Sequence, residues 1–160
     1  MTGTAAPFDS EAGYQAAIDL TLAAAQHEVR IFDRDLAHMG LDDRAHIAVL
    51  ENFFAGGRDR TLRIVLHDTA LLESHLPRLL LLMRQQAANV EVRRTPDHLR
   101  HLADCWLLAD EAHGAIRFHA DHARGKCAIA APTEVAAWWR RFDDLWQECE
   151  VCTPWAVSGL

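Results

Sequence analysis

The sequence lacks several features that would place it in a specialised class of protein. Lys126 is the only lysine among 16 basic residues, and 23 acidic residues bring the formal charge to −7. This balance disfavours a nucleic-acid binder, which usually carries a basic surface. No apolar run reaches the ~18 residues of a membrane helix. The start, MTGTAAPFDSEAG, has neither the basic nor the apolar part of a signal peptide. We therefore expect a cytoplasmic protein without a membrane or nucleic-acid partner, and the arginine bias is typical of a GC-rich bacterial genome.

Cysteine is also scarce, and its spacing supports no cofactor. The four cysteines lie at positions 105, 127, 149 and 152. Cys105 and Cys127 fall in apolar runs, where a free thiol packs as a small hydrophobic side chain. Cys149-x-x-Cys152 follows a long helical pattern, and no second pair of this spacing accompanies it. We interpret the cysteines as structural, and we predict neither a metal nor another cofactor.

What the sequence does contain is an alternation of helical and strand patterns. The predicted helices begin at Ser10, at Asp42 or Asp43, at Thr69 and at Pro132, and Pro77 marks a kink or a new first turn. The predicted strands are EVRIF (28–32), TLRIVLH (61–67), NVEVRRT (89–95), DCWLLA (104–109), GAIRFH (114–119) and KCAIAA (126–131). The last helix carries one apolar stripe with three tryptophans, which we assign to the core.

This order predicts an α/β fold with a mixed, largely parallel sheet flanked by helices on both faces. The chain of 160 residues, half of them hydrophobic, is long enough for one sizeable core. It contains no internal repeat, low-complexity segment or linker. We therefore expect a single domain over residues 1–160.

The same segments, in the same order, resemble one half of a phospholipase D-like protein. They are EVRIFDRDL, TLRIVLHD, NVEVRRTP, DCWLLAD, IRFHADH, KCAIAA and WWRRFDDLW, and they cover nearly the whole chain. The sequence resembles still more closely an uncharacterised bacterial domain of this shape that is sometimes attached to acetyltransferase domains. Members of the superfamily build one active site from two halves, so the resemblance implies a symmetric homodimer that buries the side of the signature strand.

The signature of that superfamily is His-x-Lys-x-x-x-x-Asp, in which the histidine attacks phosphorus and the lysine holds the phosphoryl oxygens. With Asp110 as the acid, the histidine position is Ala103 and the lysine position is Cys105. Starting the motif at His98 or His101 does not restore it. The signature is therefore degenerate, and we expect a non-catalytic module that binds a phosphorylated ligand or a protein partner.

An enzyme is the alternative hypothesis. It would be a phosphodiesterase or nuclease that uses the displaced histidines at a dimeric site, with His98, His101 and His122 as candidates. A nucleophilic imidazole needs a neighbouring cation to stabilise the charge that grows on the phosphoryl oxygens. The sequence does not decide which cation would fill that role.

Polar residues gather where the resemblance predicts that three segments meet, at one end of the sheet. Open α/β sheets bind ligands at such ends. The candidate ligand-binding residues are Arg34, Arg100, His119, Asp121, His122 and Arg124. Three interpretations stay open: a polar surface, an anion site in which guanidinium groups match phosphate oxygens, and a divalent-metal site. The metal site would use His119 and His122 with Asp121 or Asp104.

Overall fold

An eight-stranded sheet forms the centre of the molecule. The computed structural model describes residues 3–156. In spatial order the strands are β1-β7-β6-β5-β2-β3-β4-β8. Along the chain they are β1 (Thr4–Phe8), β2 (Glu28–Asp33), β3 (Thr61–Leu66), β4 (Val90–Arg94), β5 (Cys105–Ala109), β6 (His113–His119), β7 (His122–Ile129) and β8 (Glu150–Cys152). Six of these strands lie where the sequence predicted them.

Five helices accompany the sheet in the described part of the chain. They are α1 (Glu11–Ala24), α2 (Arg44–Ala55), α3 (Ala70–His75), α4 (Pro77–Gln85) and α5 (Pro132–Glu148), and a short 3-10 helix covers Asp97–Leu99. The hydroxyl of Ser10 accepts the backbone N–H of Gly13 at 3.0 Å and caps α1 as predicted. Pro77 opens a new helix rather than kinking an existing one, because a proline is tolerated in a first turn.

The helices lie on both faces of the sheet, which confirms the predicted architecture. One core is formed by α1 to α4 against one face, and its buried side chains include Tyr14, Leu50 and Leu79. The other core lies under α5, where Val135 and Phe142 are fully buried. The tryptophan stripe of α5 packs in this second core, as its helical spacing predicted.

The mixed sheet is confirmed, but its parallel share is smaller than we expected. Only the β2–β3 and β3–β4 pairs are parallel in residues 3–156, and the other five pairs are antiparallel. The strands β5, β6 and β7 follow one another through short turns, and such turns can only join antiparallel neighbours. The expectation of a largely parallel sheet is therefore wrong.

Two strands were not predicted, and both lie at sheet edges. β1 pairs with β7 so that Phe8 lies across from Gly125. β8 pairs with β4 at the opposite edge. Each strand is short and mostly exposed, so neither shows the buried run or the alternation by which strands are detected in a sequence.

The segments that the sequence predicted to meet do converge at one end of the sheet. There β2 ends at Asp33, β5 begins at Cys105, and the turn between β6 and β7 spans only Ala120 and Asp121. The backbone N–H of Ala120 donates to the carbonyl of Ala103 at 2.7 Å, which fixes the turn against the entry to β5. Over residues 3–156, no helix has both the length and the hydrophobicity to cross a bilayer.

Candidate functional site

The position of the signature lysine is occupied by a buried thiol. Cys105 is 2% exposed and lies across from Arg117 of β6 in the antiparallel register. Burial and the neighbouring Asp33 carboxylate raise the pKa of the Cys105 thiol far above its usual range. A buried thiol in this state is neither a cation nor a nucleophile at neutral pH.

Arg117 is a buried cation on β6, directly across from Cys105. Its guanidinium donates to both carboxylate oxygens of Glu11 at 2.9 Å and to the carbonyl of Ala120 at 2.8 Å. It also donates to the carbonyl of His119 at 3.2 Å and lies 5.0 Å from the ring centre of Tyr14. Glu11 therefore neutralises the charge of Arg117, and the Arg117 side chain fixes the β6–β7 turn through its hydrogen bonds to the carbonyls of His119 and Ala120.

Asp33 and Tyr14 complete this buried polar cluster. Burial raises the pKa of Asp33, although the backbone N–H of Leu36 donates to its carboxylate at 2.7 Å. Burial likewise raises the pKa of Tyr14 well above its usual value. The Tyr14 hydroxyl is the buried side-chain polar atom that finds no hydrogen-bond partner within residues 3–156.

An open groove lies on the outer side of the β6–β7 hairpin, and we call it the hairpin groove. Its volume is about 740 Å³. Its lining residues are Pro7, Phe8, Asp9, Phe118, His119, His122, Arg124 and Gly125. Three of the predicted ligand-binding residues therefore line one groove, and the unpredicted β1 supplies its opposite wall.

Charged groups at the hairpin tip connect the groove to the end of β2. Arg34 donates from Nη1 to Oδ1 of Asp121 at 3.2 Å. This hydrogen bond and the positive charge of Arg34 hold the pKa of Asp121 below its usual range. The rings of His119 and His122 lie 5.3 Å apart, and the backbone N–H of Asp121 donates to Nδ1 of His119 at 3.1 Å. The structure thus brings Arg34, His119, Asp121 and His122 together.

Arg124 differs from the other arginines near this end of the sheet. It is exposed, it lines the groove, and it forms no ion pair among the residues that the structure describes. Guanidinium groups match the spacing of phosphate oxygens. Among the described groove residues, Arg124 is a cation without an ion pair, and Asp9 is an acid that lines the same groove.

The remaining predicted residues do not join this group. His98 lies 3.4 Å from Glu148 of α5, and Arg100 lies 3.5 Å from Asp97. His101 is exposed and makes no side-chain hydrogen bond or ion pair in the described range. These three residues belong to the exposed segment before β5, and their contacts do not lead to the groove.

The side chains proposed for a metal site do not form one in this arrangement. No group of three His, Cys, Asp or Glu side chains is close enough to hold a metal ion in residues 3–156. Asp104 is already engaged, because Arg141 donates to it at 3.0 Å and the indole of Trp106 donates at 2.9 Å. The proposed ligand set with Asp104 is therefore wrong.

The sequence reading missed the buried cluster and the β1 wall. Arg117 stands inside the apolar run GAIRFH, and a charged residue at an inward position of a strand is a signal for a buried ion pair. Its partner Glu11 lies 106 residues away along the chain, so no local pattern reveals it. Phe8 and Asp9 had no signal, since β1 itself was not predicted.

Comparison with known proteins places the chain in a family. The family described as "Domain of unknown function (DUF7931)" matches residues 9–155. The chain belongs to this family. No curated protein matches its sequence significantly.

Solved structures show which fold the DUF7931 chain has. Nuc from Salmonella typhimurium, described as a phospholipase D family member, has a TM-score of 0.59 and 12% identity, over 94% of this chain and 99% of Nuc. NucT from Helicobacter pylori has a TM-score of 0.60 and 10% identity, over 94% of this chain and all of NucT (100%). TrmBL2, an archaeal chromatin protein, has a TM-score of 0.63 and 16% identity, over 92% of this chain and 54% of TrmBL2. The chain has a phospholipase D-like fold, which confirms the predicted fold.

Proposed function

We propose that this domain is a non-catalytic phospholipase D-like module that binds a phosphorylated ligand in the hairpin groove. The observation that carries the proposal is the contrast between two arginines. Arg117, beside the lost lysine position, is 1% exposed and is neutralised by Glu11. Arg124 is exposed on the groove and forms no ion pair among the described residues. The cation that is available to a ligand thus lies outside the signature position.

The chemistry of the signature positions supports the absence of catalysis. Attack on phosphorus needs a nucleophile and a cation on the same side of the phosphoryl group. Ala103 offers no nucleophile, and the thiol of Cys105 is buried and protonated at neutral pH. Among the displaced histidines, only His122 lines the groove. The enzyme hypothesis would therefore depend on that residue.

The groove has the size and the side chains expected of a small-ligand site. Sites for small ligands have volumes of about 300–1,000 Å³, and the groove lies within that range at about 740 Å³. Arg124 can donate two parallel hydrogen bonds to a phosphate group, and His119 and His122 can each add one. Phe118, which is 52% exposed, offers an apolar surface to the rest of the ligand.

A thermal-shift experiment tests the proposal. Inorganic phosphate, nucleotides and short DNA oligonucleotides are added at low salt, at pH 6 and pH 8; DNA is included because TrmBL2 is described as binding DNA. A ligand at a hundredfold excess over Kd stabilises the folded state by about 2.7 kcal/mol, which corresponds to about 5–10 °C for a domain of this length.

Two arginine variants separate the site from a general charge effect. Arg124→Ala should abolish the shift and leave the melting temperature of the free protein nearly unchanged, since an exposed side chain without an ion pair among the described residues contributes little to stability. Arg44→Ala removes the same charge from the exposed side of α2 and should leave the shift intact. Equal shifts in both variants, or no shift with any anion at either pH, would refute the proposal.

A symmetric homodimer is the second proposal, and the resemblance to one half of a phospholipase D-like protein supports it, because members of that superfamily build one site from two halves. Light scattering should then give twice the chain mass of 18.0 kDa. A single-chain mass at tens of micromolar would contradict it. Attachment to an acetyltransferase domain and a cytoplasmic location remain predictions.

A further inference from the structure

We propose that the Asp121 carboxylate competes with a phosphate ligand for the guanidinium group of Arg34. This competition would make the hairpin groove select phosphate monoesters over singly charged anions. In the ligand-free protein the Asp121 carboxylate neutralises Arg34, and an anion that binds Arg34 competes with that carboxylate for the positive charge. This inference rests on the proposed function of the hairpin groove.

The contact between Arg34 and Asp121 has the geometry of a replaceable pair. One N–H group of Arg34 meets one carboxylate oxygen, at 3.2 Å. The side chains are 46% and 61% exposed. The other N–H groups of Arg34 make no hydrogen bond within residues 3–156, so its second donor position is open. A phosphate group can therefore approach Arg34 before the Asp121 carboxylate has left.

The backbone of the tip is held independently of this ion pair. The N–H of Ala120 donates to Ala103 at 2.7 Å, and the carbonyl of Ala120 accepts from Arg117 at 2.8 Å. The N–H of Asp121 donates to Nδ1 of His119 at 3.1 Å. The carboxylate can thus turn into solvent while the turn keeps its shape. Displacement requires a side-chain rotation and no rearrangement of the hairpin.

The charges explain which ligands win the competition. An exposed ion pair of this kind contributes little free energy. A singly charged anion that contacts Arg34 through one oxygen would gain about the same free energy as the Asp121 carboxylate. A phosphate monoester carries ~1.5–2 negative charges at neutral pH and three free oxygens, so it offers the Arg34 guanidinium more negative charge and more acceptor oxygens than the Asp121 carboxylate does. A diester has one charge and two free oxygens. Asp121 therefore sets a threshold that monoesters pass more easily than diesters, chloride or acetate.

Calorimetric titration of the full chain with inorganic phosphate tests this role of Asp121. Asp121→Asn keeps the shape of the side chain and removes its charge, and we expect it to tighten the Kd for phosphate by about two- to fivefold. Asp144→Asn, on the exposed side of α5, removes the same charge elsewhere and should leave the Kd unchanged. The gain should shrink at 0.5 M NaCl, because exposed charges are screened at high ionic strength.

Two further measurements test the mechanism. In an Arg34→Ala background, Asp121→Asn should tighten binding by less than twofold, since the competitor then has nothing to release. With dimethyl phosphate as the probe, the preference of the protein for inorganic phosphate should fall in Asp121→Asn. The same melting temperature in all variants shows that the hairpin is folded.

The outcomes separate this inference from the proposed function. If phosphate binds and Arg124→Ala abolishes binding, but Asp121→Asn leaves the Kd unchanged or weakens it, the competitor role is refuted and the binding site stands. If no variant binds phosphate, including Asp121→Asn, both are refuted. Binding that appears only in Asp121→Asn supports both.

Discussion

The ion pair of Arg117 and Glu11 predicts that loss of the exposed partner is the damaging change. The Arg117 side chain is 2% exposed and that of Glu11 is 58% exposed. Glu11→Ala leaves a buried guanidinium without its counter-charge, which costs about 3–5 kcal/mol for a wholly buried pair. Glu11 is more than half exposed and Arg117 keeps its hydrogen bonds to two carbonyls, so we expect a smaller loss, about 2 kcal/mol. That is about 4–8 °C in melting temperature for a chain of this length.

The origin of the loss can be checked with a second substitution. In the Glu11→Ala background, Arg117→Met removes the uncompensated charge and fills the same space with an apolar side chain. It forfeits the hydrogen bonds to the carbonyls of His119 and Ala120. Replacing a stranded buried charge should outweigh that loss, and we expect a recovery of about 1–2 kcal/mol.

The assay is urea unfolding followed by the fluorescence of the five tryptophans, with the midpoint compared at constant slope. Glu134→Ala is the matched control. It breaks an ion pair with Lys126 in which the two side chains are 27% and 44% exposed, and it should cost about 0–1 kcal/mol. A Glu11→Ala variant as stable as Glu134→Ala, or a double variant less stable than Glu11→Ala, would refute the reasoning.

The pH dependence of stability gives an independent test of the same pair. The hydrogen bond from Arg117 holds the pKa of Glu11 below its ordinary value of 4.5. A carboxyl group with a lowered folded pKa contributes stability above its unfolded pKa, and this contribution disappears as the pH falls through the folded pKa. Wild type should therefore lose part of its advantage over Glu11→Ala below pH 4.5.

Three other predictions follow from the structure. Burial opposes the charged form of His46, but hydrogen bonds to the Gly40 carbonyl and to Asp19, both at 2.5 Å, outweigh it and raise the pKa of His46 above 6.5. The contribution of His46 to stability is therefore present below pH 6.5 and is lost as the pH rises through the folded pKa. Asp19→Asn should flatten that decline in urea titrations. Purified protein should not hydrolyse bis-p-nitrophenyl phosphate, and turnover abolished by His122→Ala would favour the enzyme hypothesis instead. Asp110→Ala should lower the free energy of unfolding by about 2–4 kcal/mol without changing phosphate affinity in titration.

Most of the fold could be predicted because its signals are local. The strands β2 to β7 carry apolar runs, and a serine or proline marks the start of α1, α4 and α5. The order of strands in the sheet is not local. Short turns make β5, β6 and β7 an antiparallel meander, but the placement of β5 beside β2 and of β1 and β8 at the edges depends on pairing across the sheet.

The candidate site was predictable in part for the same reason. The segment HADHAR has enough polar residues to mark it as a surface, and the resemblance placed it near Arg34, which the contact with Asp121 bears out. The function of each residue depends on partners that are remote in the chain. Arg124 is exposed and forms no ion pair among the described residues, whereas Arg117 is paired with Glu11. Two arginines seven residues apart thus have opposite states: the apolar run around Arg117 marks it as an inward-facing residue, but nothing in the sequence around it identifies Glu11 as its partner.

The acid of the degenerate signature has a role that does not depend on catalysis. Asp110 follows the last residue of β5, and its carboxylate accepts the backbone N–H groups of Gln26, His27 and Glu28 at 2.7, 2.8 and 2.9 Å. It therefore closes the connection between α1 and β2, where no strand partner would satisfy those donors. Asp110 follows the last residue of β5, whereas Ala103 and Cys105 lie just before and at its beginning, so this contact is at the opposite end of the strand from them. A residue that satisfies three backbone donors is required by the fold itself, whatever chemistry takes place at the other end of β5.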